Sequence, residues 1–323
     1  MAPRSLTGIQ PSGSPHIGNL LAAIQPGIAL QESHECYYFI ASYHSLTTTR
    51  DPALLRERIL ENTATWLAMG LDPDKATLWV QHDIPQICEL SWILSCITSK
   101  STLDKAHAFK DAVVNKKTDV INAGLFTYPV LMAADILAFD SNVVPVGKDQ
   151  KQHVEMARDM AQRFNHLYGD VLVVPEPQIR EDVAVVPGLD GRKMSRSYGN
   201  GIDLWLPPKK LRKRIMSIKT DSKGMDESKD PDSCNVMQLY RLFASPEQIS
   251  DLEGRYRAGG MGYGHAKQEL FEVMDSLLSE PREIYAELRS DPDQIRQILD
   301  EGARKARKTA QETFDRVRDA IGL

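Results

Sequence analysis

Leu6-Thr7-Gly8-Ile9-Gln10-Pro11-Ser12-Gly13-Ser14-Pro15-His16-Ile17-Gly18-Asn19 is the stretch on which the reading of this chain turns. Leu6 to Ile9 is a short strand candidate. From Gly8 to Asn19, three glycines and two prolines make a tight loop with an exposed backbone, and a helix opens at its end. A helix N-terminus offers unpaired N–H groups and partial positive charge, so this arrangement suits a phosphate. His16 and Asn19 are three apart and share a face of the first turn. Both can donate hydrogen bonds to phosphate oxygens without adding fixed charge. A purely structural turn would have the same outline, so other stretches must discriminate.

Two nucleotide motifs are near misses. Gly13 and Gly18 have the G-x-x-x-x-G spacing of a P-loop, but Asn19 and Leu20 stand where Lys and Ser/Thr are required. No G-x-G-x-x-G fingerprint follows a first strand, and Gly260-Met261-Gly262-Tyr263-Gly264 reads as a loop between helices.

Outward from the loop, strands alternate with helices. Cys36 to Ala41, Ala76 to Gln81 and Asn142 to Val146 are β-rich runs. Asp51 to Met69 is helical and opens with an aspartate cap and Pro52 at the first helical position. Pro85 to Thr98 and Asp149 to Phe164 are helical too. The alternation predicts an α/β layer fold with a doubly wound parallel sheet. After Gly201 the β-rich runs stop. Helices are expected over Pro207–Ile218, Cys234–Phe243, Pro246–Tyr256, His265–Leu278, Pro281–Ser290 and Pro292–Leu323. The 323 residues fit about two domains: 1–205, then an all-helical 206–323, with a boundary near Asp203–Pro208 and the last helix free to pack back on the first domain.

Lys and Arg total 39 against 44 Asp and Glu, a formal charge of -5. That excludes a strongly basic nucleic-acid binder on bulk charge, though not a local basic patch. No run of about 18 apolar residues exists to span a membrane. MAPRSLTGIQPSG lacks the apolar core of a signal peptide. Cys36, Cys88, Cys96 and Cys234 have no zinc-type spacing and read as reduced cysteines of a cytoplasmic protein.

A second loop, Gly191-Arg192-Lys193-Met194-Ser195-Arg196-Ser197-Tyr198-Gly199-Asn200, gathers three positive charges and several hydroxyls between glycines. Such a loop can close over a triphosphate and balance charge moving to a leaving pyrophosphate. Between the two motifs, Tyr128-Pro129-Val130-Leu131-Met132-Ala133-Ala134-Asp135-Ile136-Leu137 is apolar except for Asp135. A carboxylate there needs a partner. It suits a pocket floor with one acceptor, which an indole N–H would satisfy and a phenyl ring would not. In Val144-Pro145-Val146-Gly147-Lys148-Asp149-Gln150-Lys151-Gln152-His153, a strand enters a glycine turn and a helix. Gln150 there can serve an α-ammonium and an α-carboxylate.

His16–Asn19 resembles the HIGH motif, as HIGN, and Lys193–Ser197 resembles the KMSKS loop, as KMSRS, of class I aminoacyl-tRNA synthetases. Together with GIQPSG, LFTYPVLMAADIL and VPVG-DQKQH, these blocks are similar to the bacterial tryptophanyl-tRNA synthetases, with tyrosyl enzymes as the nearest siblings. The resemblance implies a Rossmann-like catalytic domain and a helical tRNA (anticodon)-binding domain. It implies catalytic roles for His16, Asn19, Lys193, Ser195 and Arg196. ATP would be held by Gln10, Ser12, Gly18, Asn19, Gly147, Asp149, Lys193, Met194, Ser195, Arg196 and Ser197. Tryptophan would be held by Leu6, His44, Met132, Asp135, Ile136, Val144, Val146 and Gln150, with Asp135 on the indole N–H. Mg²⁺ would arrive with ATP, with no metal site of the protein's own. Partners would be L-tryptophan, ATP, tRNA(Trp) and a second copy of the chain as a homodimer, with neither DNA nor membrane among them.

This chain departs from the family pattern at Lys148, where an acid is usual, at Leu6, where Phe is frequent, and at Tyr43, where Gln is frequent. The family's lysine-bearing loop reads Phe109-Lys110-Asp111-Ala112, with Lys116 and Lys117 further on. Pro207 to Lys223 holds seven positive charges against one acid and is the expected phosphate-contacting surface. Arg304, Lys305, Arg307 and Lys308 form a second cluster. The alternatives are a HIGH-type nucleotidylyltransferase, disfavoured by the helical half, and a non-catalytic RNA-binding paralogue, disfavoured by the intact motifs.

Overall fold

The computed structural model describes residues 2–11, 13–106, 109–110, 121–146, 150–179 and 186–323. Ser12, Lys116, Lys117, Gly147 and Asp149 lie outside the described residues, as does the side chain of Ser197. The strands are β1 (Arg4–Ile9), β2 (Glu35–Ile40), β3 (Ala76–Val80), β4 (Val143–Val146) and β5 (Glu176–Ile179). The longer helices are α1 (Pro52–Ala68), α2 (Gln86–Ile97), α3 (Ala123–Leu137) and α4 (Lys151–Tyr168). Then come α5 (Pro208–Met216), α6 (Pro246–Ala258), α7 (Tyr263–Ser290) and α8 (Pro292–Ile321).

The chain forms two compact units that are interleaved in sequence. The first comprises Met1–Gly13, Gly27–Asp182 and Leu288–Leu323; the second comprises Ser14–Pro26 and Val183–Glu287. The expected boundary at Asp203–Pro208 therefore falls inside the second unit. Within that unit, Ile17 N–H donates to the Ile202 carbonyl at 2.9 Å and Leu204 N–H to the Pro15 carbonyl at 3.0 Å. These bonds hold the first motif against the segment that follows the second.

In the first unit, all five strands are parallel, in the order β3-β2-β1-β4-β5. This is the doubly wound sheet the alternation predicts. The order reverses between β1 and β4, the switch point where such sheets bind ligands. β2 is buried from Cys36 to Ile40, as expected of a central parallel strand covered on both faces. Around Trp79 the rings of Tyr37, Phe39 and Phe139 pack with centroids 4.8–5.9 Å apart. Asp51 caps α1 by accepting from the N–H groups of Ala53 and Leu54. The last helix, α8, packs on β3. A Cβ at position 302 would stand 1.8 Å from the Leu78 carbonyl oxygen, so only glycine allows this approach. Arg316 donates to both oxygens of Asp140, and Arg307 to the Asp83 carbonyl. The basic cluster at 304–308 is thus partly engaged within the unit.

One strand was not expected from the sequence, and one local expectation is corrected. β5 is a strand despite Pro177, because it lies at the sheet edge, where a missing N–H is tolerated. His265–Leu278 and Pro281–Ser290 are not separate helices. Pro281 lies inside the continuous α7, since one proline removes one backbone bond while packing holds the turns on either side.

In the second unit, α5, α6 and α7 and the short helix Asn235–Tyr240 form a helical assembly. Ser245 and Gln248 make a capping box at the start of α6. Arg255 donates to both carboxylate oxygens of Glu269, joining α6 to α7.

Candidate active site

The first unit carries a buried polar cluster. Asp135 lies on α3 with only 2 % of its surface exposed. Nε2 of His44 donates to its Oδ2 at 2.9 Å. Nε2 of Gln81 donates to Oδ1 at 2.8 Å and to Oδ2 at 2.9 Å. The partners a buried carboxylate requires are therefore present. Burial raises the carboxyl pKa above its ordinary value, and the bonds from His44 and Gln81 oppose the rise.

Tyr128, Met132 and Asp135 are spaced to share one face of α3. The Tyr128 hydroxyl donates to Nε2 of His153, and Nδ1 of His153 donates to Oε1 of Gln150 at 2.7 Å. With its proton given to His153, the Tyr128 oxygen presents lone pairs, as an ammonium requires. The His44 and Tyr128 rings stand 6.5 Å apart, and Gln10 donates to the His44 carbonyl. Leu6, Ile136 and Val144 are buried in the same core, with Met132 and Val146 half-buried against it. Sequence reasoning did not assign roles to Gln81, Tyr128 or His153. Tyr128 was findable as the polar residue one face-turn before Met132 and Asp135.

The second unit carries the two phosphate-type motifs. His16 is the N-cap of the helix at Ile17–Asn19. Its Nδ1 accepts from the Asn19 N–H at 3.3 Å, while the Asn19 Oδ1 accepts from the His16 N–H at 3.0 Å. This reciprocal capping box places the ring proton on Nε2, so a neutral His16 can donate there. Burial, and then the charge of Arg196, lowers the His16 pKa; Asp203 opposes this. A Cβ at Gly18 would stand 2.9 Å from the His16 ring, which is why a glycine follows Ile17. The Gly18 N–H points to the Met194 sulfur at 3.3 Å. The HIGN and KMSRS motifs therefore touch, 176 residues apart in sequence.

Lys193 and Arg196 are exposed, while Met194 is buried. The loop backbone is held from behind. The buried Asn200 accepts from the Ser195 N–H at 2.9 Å and donates to Asp190 at 2.7 Å and to the Lys193 carbonyl at 3.2 Å. Bonds from Asn200, then from Arg192, hold the Asp190 carboxyl down to about 2. Arg214 of α5 donates to the carbonyls of Gly199 at 2.6 Å and Gly201 at 2.9 Å. Arg214 therefore secures the KMSRS loop, and Lys209, Lys210, Arg212 and Lys213 form the exposed charge of α5, Arg212 bonded to Gln268. Among the described residues, no group of three His, Cys, Asp or Glu side chains could hold a metal.

A parallel sheet with a switch point and a touching HIGN and KMSRS pair define a class I synthetase, and the model of the tRNA synthetases class I (W and Y) matches residues 2–279. The chain belongs to that family. Within it, the chain is 49 % identical over 320 residues, 99 % of both chains, to the tryptophan–tRNA ligase of Rhodopirellula baltica. It is 48 % identical to the tryptophan–tRNA ligase of Pseudomonas putida, covering all of this chain and 74 % of that one. The crystal structure of tryptophanyl-tRNA synthetase from Campylobacter jejuni complexed with ADP and tryptophan superposes with a TM-score of 0.93. That match is at 46 % identity over 99 % of this chain and 100 % of the other.

Proposed function

We propose that this chain is a tryptophan–tRNA ligase: it activates L-tryptophan with ATP and transfers the tryptophanyl group to the 3′-terminal adenosine of tRNA(Trp). The buried Asp135, held by His44 and Gln81, is the observation that carries the choice of amino acid. It is an acceptor in an apolar wall, and an indole N–H is the donor it fits. Tyr128 and Gln150 serve the α-amino group. His16, Asn19, Lys193, Ser195 and Arg196 serve ATP, which brings Mg²⁺ with it.

The tryptophan carboxylate attacks the α-phosphorus, the bond to pyrophosphate breaks, and tryptophanyl-adenylate forms. The carboxylate is already a nucleophile, so no general base is needed. Positioning and charge stabilisation drive the step. His16 Nε2–H, the Asn19 amide and the cations of the second loop meet the charge that grows on phosphate oxygens. The 2′-hydroxyl of the terminal ribose then attacks the acyl carbonyl and AMP leaves.

The exposed Lys209, Lys210 and Lys213 of α5, with Lys219, are the proposed contacts to tRNA phosphates. The chain is proposed to act in the cytoplasm as a homodimer. On α2, Cys88, Trp92 and Cys96 are exposed at helical spacing, Trp92 by 72 %. An apolar stripe of this kind favours a second copy of the chain, to be checked by sedimentation of Trp92→Asp. The test of the function is ATP–pyrophosphate exchange with each amino acid, followed by charging of tRNA. Tryptophan alone should drive exchange. Exchange driven by tyrosine, or by none, sinks the reading.

A further inference from the structure

We propose that Gln81 is a positioning residue for amino-acid specificity: one amide fixes both the Asp135 carboxylate and the Tyr43–His44 backbone, so that the carboxylate is aimed at an N–H donor. This rests on the reading of Asp135 as the indole acceptor.

Gln81 follows β3 directly and opens the short 3₁₀ turn Gln81–Asp83. It is fully buried. Its Nε2 donates to both oxygens of Asp135, while its Oε1 accepts from the N–H groups of Tyr43 at 2.8 Å and His44 at 3.4 Å. An amide that only braced a turn would bond backbone at both ends. This one bonds backbone at one end and the functional carboxylate at the other. His44, whose backbone Gln81 holds, also donates its ring N–H to the same carboxylate.

A carboxylate has about four acceptor positions. The two donor contacts from Gln81 and the one from His44 leave room for a further strong donor. A substrate lacking one leaves that capacity unmet in a buried site, which is the strongest basis for rejection. Without Gln81, Asp135 keeps the bond from His44, but it can turn about its side-chain bonds and lose its aim.

The test is exchange driven by L-tryptophan and by β-(3-benzothienyl)-L-alanine, its near-isostere with sulfur in place of the N–H. The readout is the ratio of their kcat/KM values in wild type, Gln81→Met and Gln81→Asn. In Gln81→Met the preference for tryptophan should fall about 10–100-fold, the effect of losing hydrogen bonds to a charged group. The fall should lie in the tryptophan KM. The kcat/KM of the thienyl analogue and the KM for ATP should stay within about threefold of wild type. Gln81→Asn keeps the amide on a shorter arm and should give an intermediate ratio. If Gln81→Met does not fold, Gln81→Asn decides alone. An unchanged ratio, or an equal loss for both amino acids, overturns the role of Gln81. A wild type that does not use tryptophan overturns the underlying reading instead.

Discussion

Around Asp135 the side chains are buried or half-buried, and the polar ones, His44, Gln81, Tyr128, His153 and Gln150, are each tied by a hydrogen bond. Around Lys193 the charged side chains stand in solvent, and it is the backbone that is tied, by Asn200 and Arg214. The first arrangement selects by geometry: a buried acceptor with its partners in place is costly to leave unsatisfied and so discriminates sharply. The second supplies charge. Exposed charges of this kind are screened by solvent until a triphosphate engages them. A fixed backbone beneath them limits how far they must be reordered. Substitutions in the first region should therefore act on which amino acid is used, and those in the second on how fast ATP reacts.

The largest effect should come from Asp135→Leu. It removes the acceptor and strands the donors of His44 and Gln81. Tryptophan-driven exchange should fall about 10³-fold or more, while ATP binding followed by calorimetry stays close to wild type. Lost ATP affinity would break the division between the two regions. Next is Lys193→Ala, which should lower the adenylation rate about 10²-fold and leave tryptophan affinity within about twofold, measured by single-turnover kinetics and equilibrium binding. Exchange at the wild-type rate would remove Lys193 from the chemistry. Arg214→Met keeps length but loses both bonds to the loop carbonyls. Adenylation should fall about tenfold, with Arg214→Lys partly restoring it. No loss would mean that the loop is held without α5.

The smallest effect is one of pH, and it concerns the first region alone. Burial raises the Asp135 pKa, so the ionised acceptor is lost above the ordinary carboxylate range near 4. As pH falls toward that raised value, the tryptophan KM should rise several-fold. The folded state takes up this proton more readily than the unfolded chain, so the contribution of Asp135 to stability rises over the same fall. Measuring the tryptophan KM and the melting temperature of Asp135→Asn beside wild type, from pH 8 down to the acid limit of the folded state, checks both. A wild-type tryptophan KM that equals that of Asp135→Asn at every pH counts against an ionised acceptor.

Much of this contrast was legible in the sequence. Asp135 stood out because it is the one charge in an apolar run, and Lys193 because its loop gathers cations between glycines. Gln81 was invisible because its partners lie 37 to 54 residues away and neutral glutamine leaves no mark in a charge pattern. Arg214 was counted with its neighbours as phosphate-facing. Spacing alone does not tell which arginine of a basic helix turns back to a carbonyl. β5 was hidden by Pro177, and the continuity of α7 by Pro281, two cases where packing overrides the local preference. The interleaved units were missed because a boundary read from composition assumes that each domain is one stretch of chain.

The close approach of Gly302 to Leu78 also has a consequence for synthesis. β3 is made early, and the helix that covers it is made more than 200 residues later. At roughly 5–20 residues per second, the strand waits some tens of seconds for its cover. Through that interval the apolar surface destined for α8 is uncovered, and the contact at Gly302 forms only when both elements are present.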